Sequence, residues 1–323
     1  MNRQTLEKFQ VFVYFLAILL GFGAGHVWPE WASLMEALLW PALAALLFVT
    51  FCQISIRKIG EAFTDTRFLT AAAGGNFLVI PLIVWGLLIF LPDIAAIQLG
   101  VAMVLLVPCI DWFISFTHLG RGAASHAVAF VPLSLLLQFL LLPVWLFLFF
   151  GRDFAVSLAS FDLLTAFFLL IVLPLLLAGI TRKWTGKQPG SKQITDTLAW
   201  LPVPLLALVV FIVAMSQFQA IMTSGHLLWQ PVVIYIAYLM IALILSRIAV
   251  GIMNLDIPTG RTLAFSFGSR NSFVVLPLAL ALPESFELVA VVIVFQSVVE
   301  LFGMIFYVWF VPHILLPEKV PES

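Results

Sequence analysis

The sequence predicts an all-α polytopic membrane protein, on the basis of its composition, its charge and the length of its apolar runs. Its 323 residues are 63% hydrophobic and 10% charged, with a mean hydropathy of +1.16. A soluble globular chain is roughly 45–50% apolar and about 25% charged, so this chain has too few charges to cover a water-soluble body. The same arithmetic excludes a disordered chain, and the net charge of −1 indicates no nucleic-acid partner.

Ten apolar windows are long enough to cross a bilayer, because a helix needs about 20 apolar residues to span a ~30 Å hydrocarbon core. The windows are continuous apolar runs without the short alternation of a transmembrane barrel, which favours helices. They are numbered 1 to 10 here and lie near residues 11–28, 34–54, 68–91, 94–118, 126–150, 161–181, 197–219, 227–253, 262–282 and 287–312.

The distribution of Lys and Arg predicts the orientation of the windows. Twelve of these residues lie in the termini or in loops after even-numbered windows, against Arg152 alone on the opposite face. Cytoplasmic loops carry the excess of positive charge in membrane proteins. We therefore expect a multi-pass protein of the plasma (cell inner) membrane with both termini in the cytoplasm.

The ten windows divide into two groups of five. Because five is odd, the second group enters the membrane from the opposite face, and related halves would form an inverted repeat, as in many secondary transporters. We assign residues 1–180 to the first repeat, the polar stretch 181–196 to a cytoplasmic linker, and 197–323 to the remainder of the second repeat, which window 6 opens.

Windows 4 and 9 each contain a proline in mid-run, Pro108 and Pro277. Proline removes a backbone donor and disturbs the preceding turn, so the matching positions predict two broken helices that cross at the bilayer centre. Other windows contain prolines too, and transmembrane helices tolerate them generally.

Ionisable residues inside the windows are candidates for function, since a charge at bilayer depth costs at least ~2.5–3.5 kcal/mol on insertion scales. Asp111 and Arg270 lie near the two prolines, so their opposite charges are predicted to face each other at the crossing, either as a functional pair or as a structural one. Glu300 in window 10 has Gln296 one turn before it. Arg247 is near a predicted helix end and can extend to the interface.

Neutral polar residues extend this predicted pocket. Asn271 and Ser272 follow Arg270 directly, and Asn76 lies in window 3 beside Gly74 and Gly75, which permit close helix packing.

Cys109 directly follows Pro108 and precedes Asp111 by two residues. A lone buried cysteine is most often a small hydrophobe. Here the adjacent proline and the nearby carboxylate predict that the thiol faces the pathway of a transported substrate. Thiolate sulfur is a soft ligand suited to soft metals and metalloids. Cys52 has no such neighbours, and two cysteines are too few for a zinc site.

These motifs resemble those of the bile acid:sodium symporter superfamily, whose ninth span is entered through a run like LDIPTGRTLAFSFGSRNS. Within it, the chain is most similar to the arsenite efflux permeases. The resemblance implies a core of windows 3–5 and 8–10 and a panel of windows 1, 2, 6 and 7. The motif residues shared with the arsenite permeases are Asn76, Pro81, Pro108, Cys109, Leu119, Arg121, Gly122 and Glu300.

The chain also departs from these relatives. Ser266 and Arg270 stand where the sodium symporters carry Glu and Gln, and Phe113 and Ile114 stand where they carry a Ser-Asn pair. The resemblance therefore implies no sodium coupling through the usual site. Val274 replaces a glutamate of the arsenite permeases, which leaves Asp111 and Glu300 as the candidates for proton coupling.

Two functions remain open at this point. The first is a secondary active transporter that exports arsenite or antimonite, coupled to protons by antiport or to the membrane potential, with Cys109, Arg270, Asn271, Ser272 and Asn76 binding the substrate. The second is an organic-anion carrier in which Arg270 holds a carboxylate or sulfonate. The sequence contains no cofactor motif and no convergent catalytic set, so we predict no enzyme and no cofactor. The expected partners are a small-molecule or metalloid substrate, lipid and protons.

Overall fold

The computed structural model describes residues 3–53, 65–110, 112–158, 165, 168–185 and 200–318. These residues form helices and short connections, with one isolated β-bridge and no strand among them. The helices are α1 (Arg3–Val27), α2 (Ala32–Gln53), α3 (Thr66–Leu88), α4 (Ala95–Leu105), α5 (Trp112–Leu119), α6 (Ala124–Leu158), α7 (Leu173–Thr185), α8 (Pro202–Ser216), α9 (Phe218–Ser224), α10 (Trp229–Met253), α11 (Ile257–Gly268), α12 (Ser272–Leu280) and α13 (Glu287–Phe310).

Five helical stretches in the described residues are long and apolar enough to cross a membrane. Windows 4 and 9 instead hold two short helices each, α4 with α5 and α11 with α12. The chain is therefore a helical, multi-pass membrane protein, whereas the count of ten spans and the inverted repeat stay predictions. The long stretches are Pro29–Cys52, Thr66–Leu88, Ala124–Gly151, Trp229–Met253 and Glu287–Leu315.

One face of α3 is apolar and exposed. Leu78, Leu82, Trp85 and Ile89 recur at helical spacing, and each is more than half exposed. Large apolar side chains exposed in a continuous row are unfavourable in water and favourable against lipid tails. This face of α3 is therefore a lipid-facing surface.

The middle of α3 widens into a π-helical turn over Gly75–Val79. Pro81 lies just after this turn and has no N–H, so the carbonyl of Phe77 lacks its ordinary helical donor. The indole nitrogen of Trp145 in α6 donates to that carbonyl at 3.1 Å. A neighbouring helix thus satisfies the backbone group that the proline leaves open, as membrane helices require.

The helices group into two compact units. The first comprises Met1–Ile54, Leu158–Leu227 and Leu276–Val294. Within it α8 packs against both α1 and α2. Gly21 and Gly25 of α1 allow this contact, because a Cβ on either glycine would come within 2.7 Å of α8 or α9 atoms. This Gly-x-x-x-Gly spacing is a helix-packing motif that our sequence interpretation missed.

The second unit comprises Ser55–Ser157, Leu228–Val275 and Phe295–Ser323. Helix α11 lies at its centre and packs against α3, α5 and α10. Every residue from Thr259 to Gly268 is buried. A helix buried on all sides holds its ends in fixed positions, and its C-terminal end leads directly into the candidate site.

Candidate functional site

The interruptions of windows 4 and 9 meet each other in the second unit. Pro108, in the break between α4 and α5, and Arg270, in the break between α11 and α12, form an isolated antiparallel β-bridge. The backbone N–H of Cys109 donates to the Ser269 carbonyl at 3.1 Å, and that of Asn271 donates to the Val107 carbonyl at 2.8 Å. The two breaks therefore satisfy each other's backbone groups, which allows irregular backbone at membrane depth.

The position of the second break differs from the prediction. Pro108 lies in the first break, but Pro277 lies inside α12, so the prediction that Pro277 marks a break is wrong. The helix ends instead at Gly268, and Ser269 is extended. The Ser269 hydroxyl donates to the Phe265 carbonyl at 2.7 Å. Short polar side chains that bond to nearby backbone compete with the helix, and such bonds, rather than a proline, accompany this break.

Cys109 is buried at the bridge, with 7% of its surface exposed, and it forms no disulfide. Its sulfur accepts a hydrogen bond from the backbone N–H of Trp112, the first residue of α5, at 3.3 Å. The thiol thus lies at the crossing of the two breaks and also has a local structural role. Cys52, also free of disulfides, lies in α2 of the first unit.

The guanidinium of Arg270 is surrounded by four oxygen atoms, which we call the oxygen cage. Its Nη2 atom donates to Asn76 Oδ1 at 2.7 Å and to the Ser266 and Phe267 carbonyls at 2.8 and 2.9 Å. Its Nη1 atom donates to the Leu105 carbonyl at 3.2 Å. Only 2% of the residue is exposed, so oxygen atoms of the protein surround most of the guanidinium.

Tyr238 completes the surroundings of the guanidinium and was not identified from the sequence. Its ring centre lies 5.4 Å from the Arg270 Cζ atom, within cation–π range, and its hydroxyl donates to the Phe267 carbonyl at 2.6 Å. One signal was present, since a buried tyrosine in an apolar helix needs a partner for its hydroxyl.

Asp111, the predicted partner of Arg270, lies outside the described residues. Glu300 is 2% exposed and its Oε2 atom accepts from the Arg270 backbone N–H at 2.8 Å and from Gln296 Nε2 at 2.5 Å. The Ser272 hydroxyl donates to Gln296 Oε1, which extends this chain of polar groups. The structure thus brings Glu300 and Ser272 into one network with the backbone of Arg270.

Three buried polar atoms at this site have no partner among the described residues: Arg270 Nε, Asn271 Nδ2 and Glu300 Oε1. Two of them are donors and one is an acceptor. Buried polar atoms are nearly always paired, so these atoms need an explanation such as a ligand or water. Asn76 differs, because its amide is used in full: Nδ2 donates to the Ala72 carbonyl and to Ser266 Oγ, both at 2.9 Å.

The motif Leu119, Arg121 and Gly122 is remote from this network. Gly122 N–H bonds to the Thr117 carbonyl at 2.8 Å, and a Cβ on Gly122 would lie 3.1 Å from the Thr262 backbone nitrogen. Arg121 has a positive φ of 56°. These residues form the tight turn that joins α5 to α6 against the start of α11.

Interrupted helices that meet inside an apolar helical bundle, with buried charges at the meeting point, are typical of membrane transporters. The sequence matches the model of the Sodium Bile acid symporter family over residues 40–224, which is more than half of the chain. The chain belongs to this family, whose members are transporters and not enzymes. The matched segment includes Asn76 and Cys109, and Arg270 and Glu300 lie beyond it. No curated protein matches the sequence.

Proposed function

We propose that this transporter is an arsenite and antimonite efflux permease, coupled to protons or to the membrane potential. The observation that carries the proposal is the position of the Cys109 sulfur, buried at the bridge between the two interrupted helices. Transporter substrates bind where interrupted helices meet near the bilayer midplane. A sulfur at this position is a suitable ligand for a substrate that binds soft ligands.

The chemistry of trivalent arsenic fits the groups at this site. At neutral pH arsenite is mostly an uncharged hydroxide that exchanges oxygen ligands for soft sulfur ligands. In the proposal Cys109 engages the metalloid transiently, Asn271, Ser272 and Arg270 bind its hydroxyl groups, and Asn76, which the sequence also predicts to bind substrate, holds the Arg270 guanidinium. The unpartnered Nδ2 of Asn271 and Nε of Arg270 are the donors still open to such hydroxyls among the described residues.

Proton coupling is assigned to Asp111 and Glu300. The sequence puts Asp111 two residues from Cys109, where its carboxylate would take the thiol proton and pass it to the departing hydroxide, which leaves as water. Glu300 keeps one oxygen without a partner among the described residues. Exchange of a proton for substrate at this network would make the protein an antiporter.

The proposed architecture is ten helices in two inverted five-helix repeats, with a panel of windows 1, 2, 6 and 7 and a core of windows 3–5 and 8–10. The bridge between Pro108 and Arg270 supports it, because an antiparallel bridge relates its two strands by a local two-fold axis. We further propose an inner-membrane location with both termini in the cytoplasm, in line with the positive-inside rule.

Two substitutions of Cys109 separate its chemical role from its hydrogen bond to the Trp112 backbone. Cys109→Ser removes the soft ligand but keeps an oxygen that can accept from the Trp112 backbone N–H, whereas Cys109→Ala removes both. Arsenite uptake into everted vesicles is measured at matched expression, with Cys52→Ser as the control. We expect both Cys109 variants to fall to the background of empty vesicles and the control to match the wild type. Transport that survives in Cys109→Ser contradicts the proposal.

The family match favours a second candidate, an organic-anion carrier. In that case Arg270 would hold a carboxylate or sulfonate, and Arg270→Gln would abolish uptake of labelled organic anions while Cys109→Ser would not. The oxygen cage argues against it, because four acceptors already occupy Nη1 and Nη2 of the guanidinium. Competition of organic anions with arsenite in the same vesicles distinguishes the two functions.

A further inference from the structure

The oxygen cage around Arg270 has the composition of a site for a small hard cation. All four acceptors are neutral: three are backbone carbonyls and the fourth is the amide oxygen of Asn76. Hard cations take oxygen ligands of this kind, with carbonyl and amide oxygens among the commonest. The four oxygens come from α3, α4 and α11, so the fold, and not one flexible loop, fixes their positions.

The cage also has an electrostatic preference for positive charge. Leu105 is the last residue of α4, and Ser266 and Phe267 lie in the last turn of α11. Helix C-termini carry partial negative charge. In secondary transporters, the C-terminal ends of interrupted helices and unwound carbonyls coordinate the coupling sodium ion or proton. Here the same arrangement surrounds a guanidinium that belongs to the chain itself.

We propose that the Arg270 guanidinium is a tethered substitute for a coupling sodium ion, so that this member of a sodium symporter family works without sodium. A covalently attached cation cannot enter or leave the cage with each transport cycle. The cage is then permanently charged, and coupling must come from another ion. The inference rests on the proposed function only in that the chain is a transporter, and it is independent of which substrate is carried.

The neighbours of the cage fit a permanent positive charge. The Tyr238 ring lies 5.4 Å from the guanidinium carbon, and the Glu300 carboxylate binds the Arg270 backbone. Loss of the guanidinium would leave Glu300 and two negative helix ends without a cation nearby. A bound sodium ion would restore that balance. Removing the arginine should therefore create a sodium site that the wild type lacks.

Thermal unfolding of the full-length protein in detergent tests this inference. Wild type, Arg270→Gln and Arg270→Ser are unfolded in NaCl, KCl and choline chloride at equal ionic strength. We expect equal unfolding temperatures for the wild type in all three salts. For the neutral variants we expect a saturable rise of about 3 °C or more in NaCl over KCl, because a ligand that binds only the folded state stabilises it.

Two controls locate the effect in the cage. Arg270→Lys keeps a tethered cation and should show no response to sodium. Asn76→Leu, combined with Arg270→Gln, removes one of the four cage oxygens and should shift the sodium response to about tenfold higher concentration, which corresponds to a loss of roughly 1.4 kcal/mol of binding free energy.

Three outcomes overturn the inference. One is a sodium-specific stabilisation of the wild type, and the second is a folded neutral variant that responds equally to all three salts. The third is that both neutral variants fail to fold in all three salts, NaCl included, because sodium in the cage should replace the lost charge. None of these readouts involves arsenite. They therefore test the role of Arg270 separately from the proposed substrate, which the Cys109 experiment tests.

Discussion

Cys109 and Asn271 occupy equivalent positions on the two sides of the bridge, and the side chain of each binds the backbone of the segment that follows it. The Cys109 sulfur accepts from the backbone N–H of Trp112, and the Asn271 Oδ1 accepts from that of Val274, in each case three residues onward. Because α12 begins at Ser272 and α5 begins only at Trp112, Asn271 caps its helix, whereas the Cys109 sulfur binds the first residue of α5. The second atom of the Asn271 amide, Nδ2, stays available for a ligand among the described residues.

Substitutions of Asn271 should separate its two roles. Asn271→Ala removes the cap of α12 and should destabilise the protein by about 1 kcal/mol, the typical cost of a lost N-cap. Asn271→Ser keeps a capping oxygen but lacks the Nδ2 donor, so its stability should stay near that of the wild type while arsenite transport falls. Thermal unfolding and vesicle uptake measured on the same preparations check this. If Asn271→Ser transports at the wild-type rate, the amide does not bind substrate.

Gly75 and Gly74 give a matched pair for testing helix packing near the cage. A Cβ on Gly75 would overlap the Phe267 ring, whereas a Cβ on Gly74 would meet nothing within 4 Å. Overpacking typically costs about 1–3 kcal/mol, so Gly75→Ala should lower the unfolding temperature. Gly74→Ala should be neutral or stabilising by about 0.5–1 kcal/mol, because alanine favours helix over glycine.

A loss of stability in Gly74→Ala but not in Gly75→Ala would contradict the packing of α3 on α11. A useful companion is Gly75→Ala with Phe267→Leu, where the smaller side chain should recover part of the lost stability.

The two interruptions could be predicted from the sequence because polar residues and proline at bilayer depth leave a compositional signal. Pro108 gave that signal for window 4, and the structure has a break there. In window 9 the prediction relied on Pro277, whereas the break lies at Ser269 within the polar run SFGSRNS. The partners of Arg270 could not be predicted. Three of the four are backbone carbonyls, which every residue carries, so Leu105 and Phe267 give no sequence signal for their roles. The opposite charge of Asp111 was the more obvious partner on sequence grounds.

Pro277 illustrates a related limit of the sequence. Proline weakens a helix by one hydrogen bond, but whether the helix breaks depends on what other bonds the chain can form. At Ser269 and Asn271 the side chains bond to nearby backbone, and the bridge supplies further partners for the backbone. These gains depend on a second segment more than 150 residues away, a contact that no local pattern in window 9 encodes.

Arg261 should be far more important for stability than the glutamate with which it forms an ion pair. Its side chain is 2% exposed and donates from Nε to the Leu316 carbonyl at 3.0 Å and from Nη1 to the Arg121 carbonyl at 3.2 Å. The Glu318 side chain is 71% exposed and accepts from the same Nη1 at 3.2 Å. Arg261→Ala removes buried, charge-assisted hydrogen bonds worth about 1.5–3 kcal/mol each. Glu318→Gln removes a largely exposed partner worth about 0–1 kcal/mol.

Thermal unfolding of both variants in detergent checks this difference. Equal losses in Arg261→Ala and Glu318→Gln would mean that the ion pair, and not the carbonyl contacts, holds the C-terminal segment against α11.

Arg270 and Glu300 carry opposite formal charges within one buried network, so their neutralisation should be strongly non-additive. Arg270→Gln leaves the buried Glu300 carboxylate without a positive charge nearby, and Glu300→Gln leaves the buried guanidinium without a negative one. Either change should lower the free energy of unfolding by about 3–5 kcal/mol. The double variant buries no net charge and keeps an amide oxygen that can accept from the Arg270 position's backbone N–H. It should recover about 1–3 kcal/mol relative to the sum of the single losses.

Chemical unfolding of the four proteins under identical detergent conditions measures this coupling, with Arg270→Gln combined with Glu318→Gln as the control for two charges that share no network. That control pair should be additive within about 0.5 kcal/mol. Additive losses in the Arg270 and Glu300 pair would mean that the cage oxygens and Tyr238 compensate the guanidinium without Glu300. In that case the carboxylate would be free to change its protonation without any cost at the cage, and proton movement at Glu300 would be independent of Arg270.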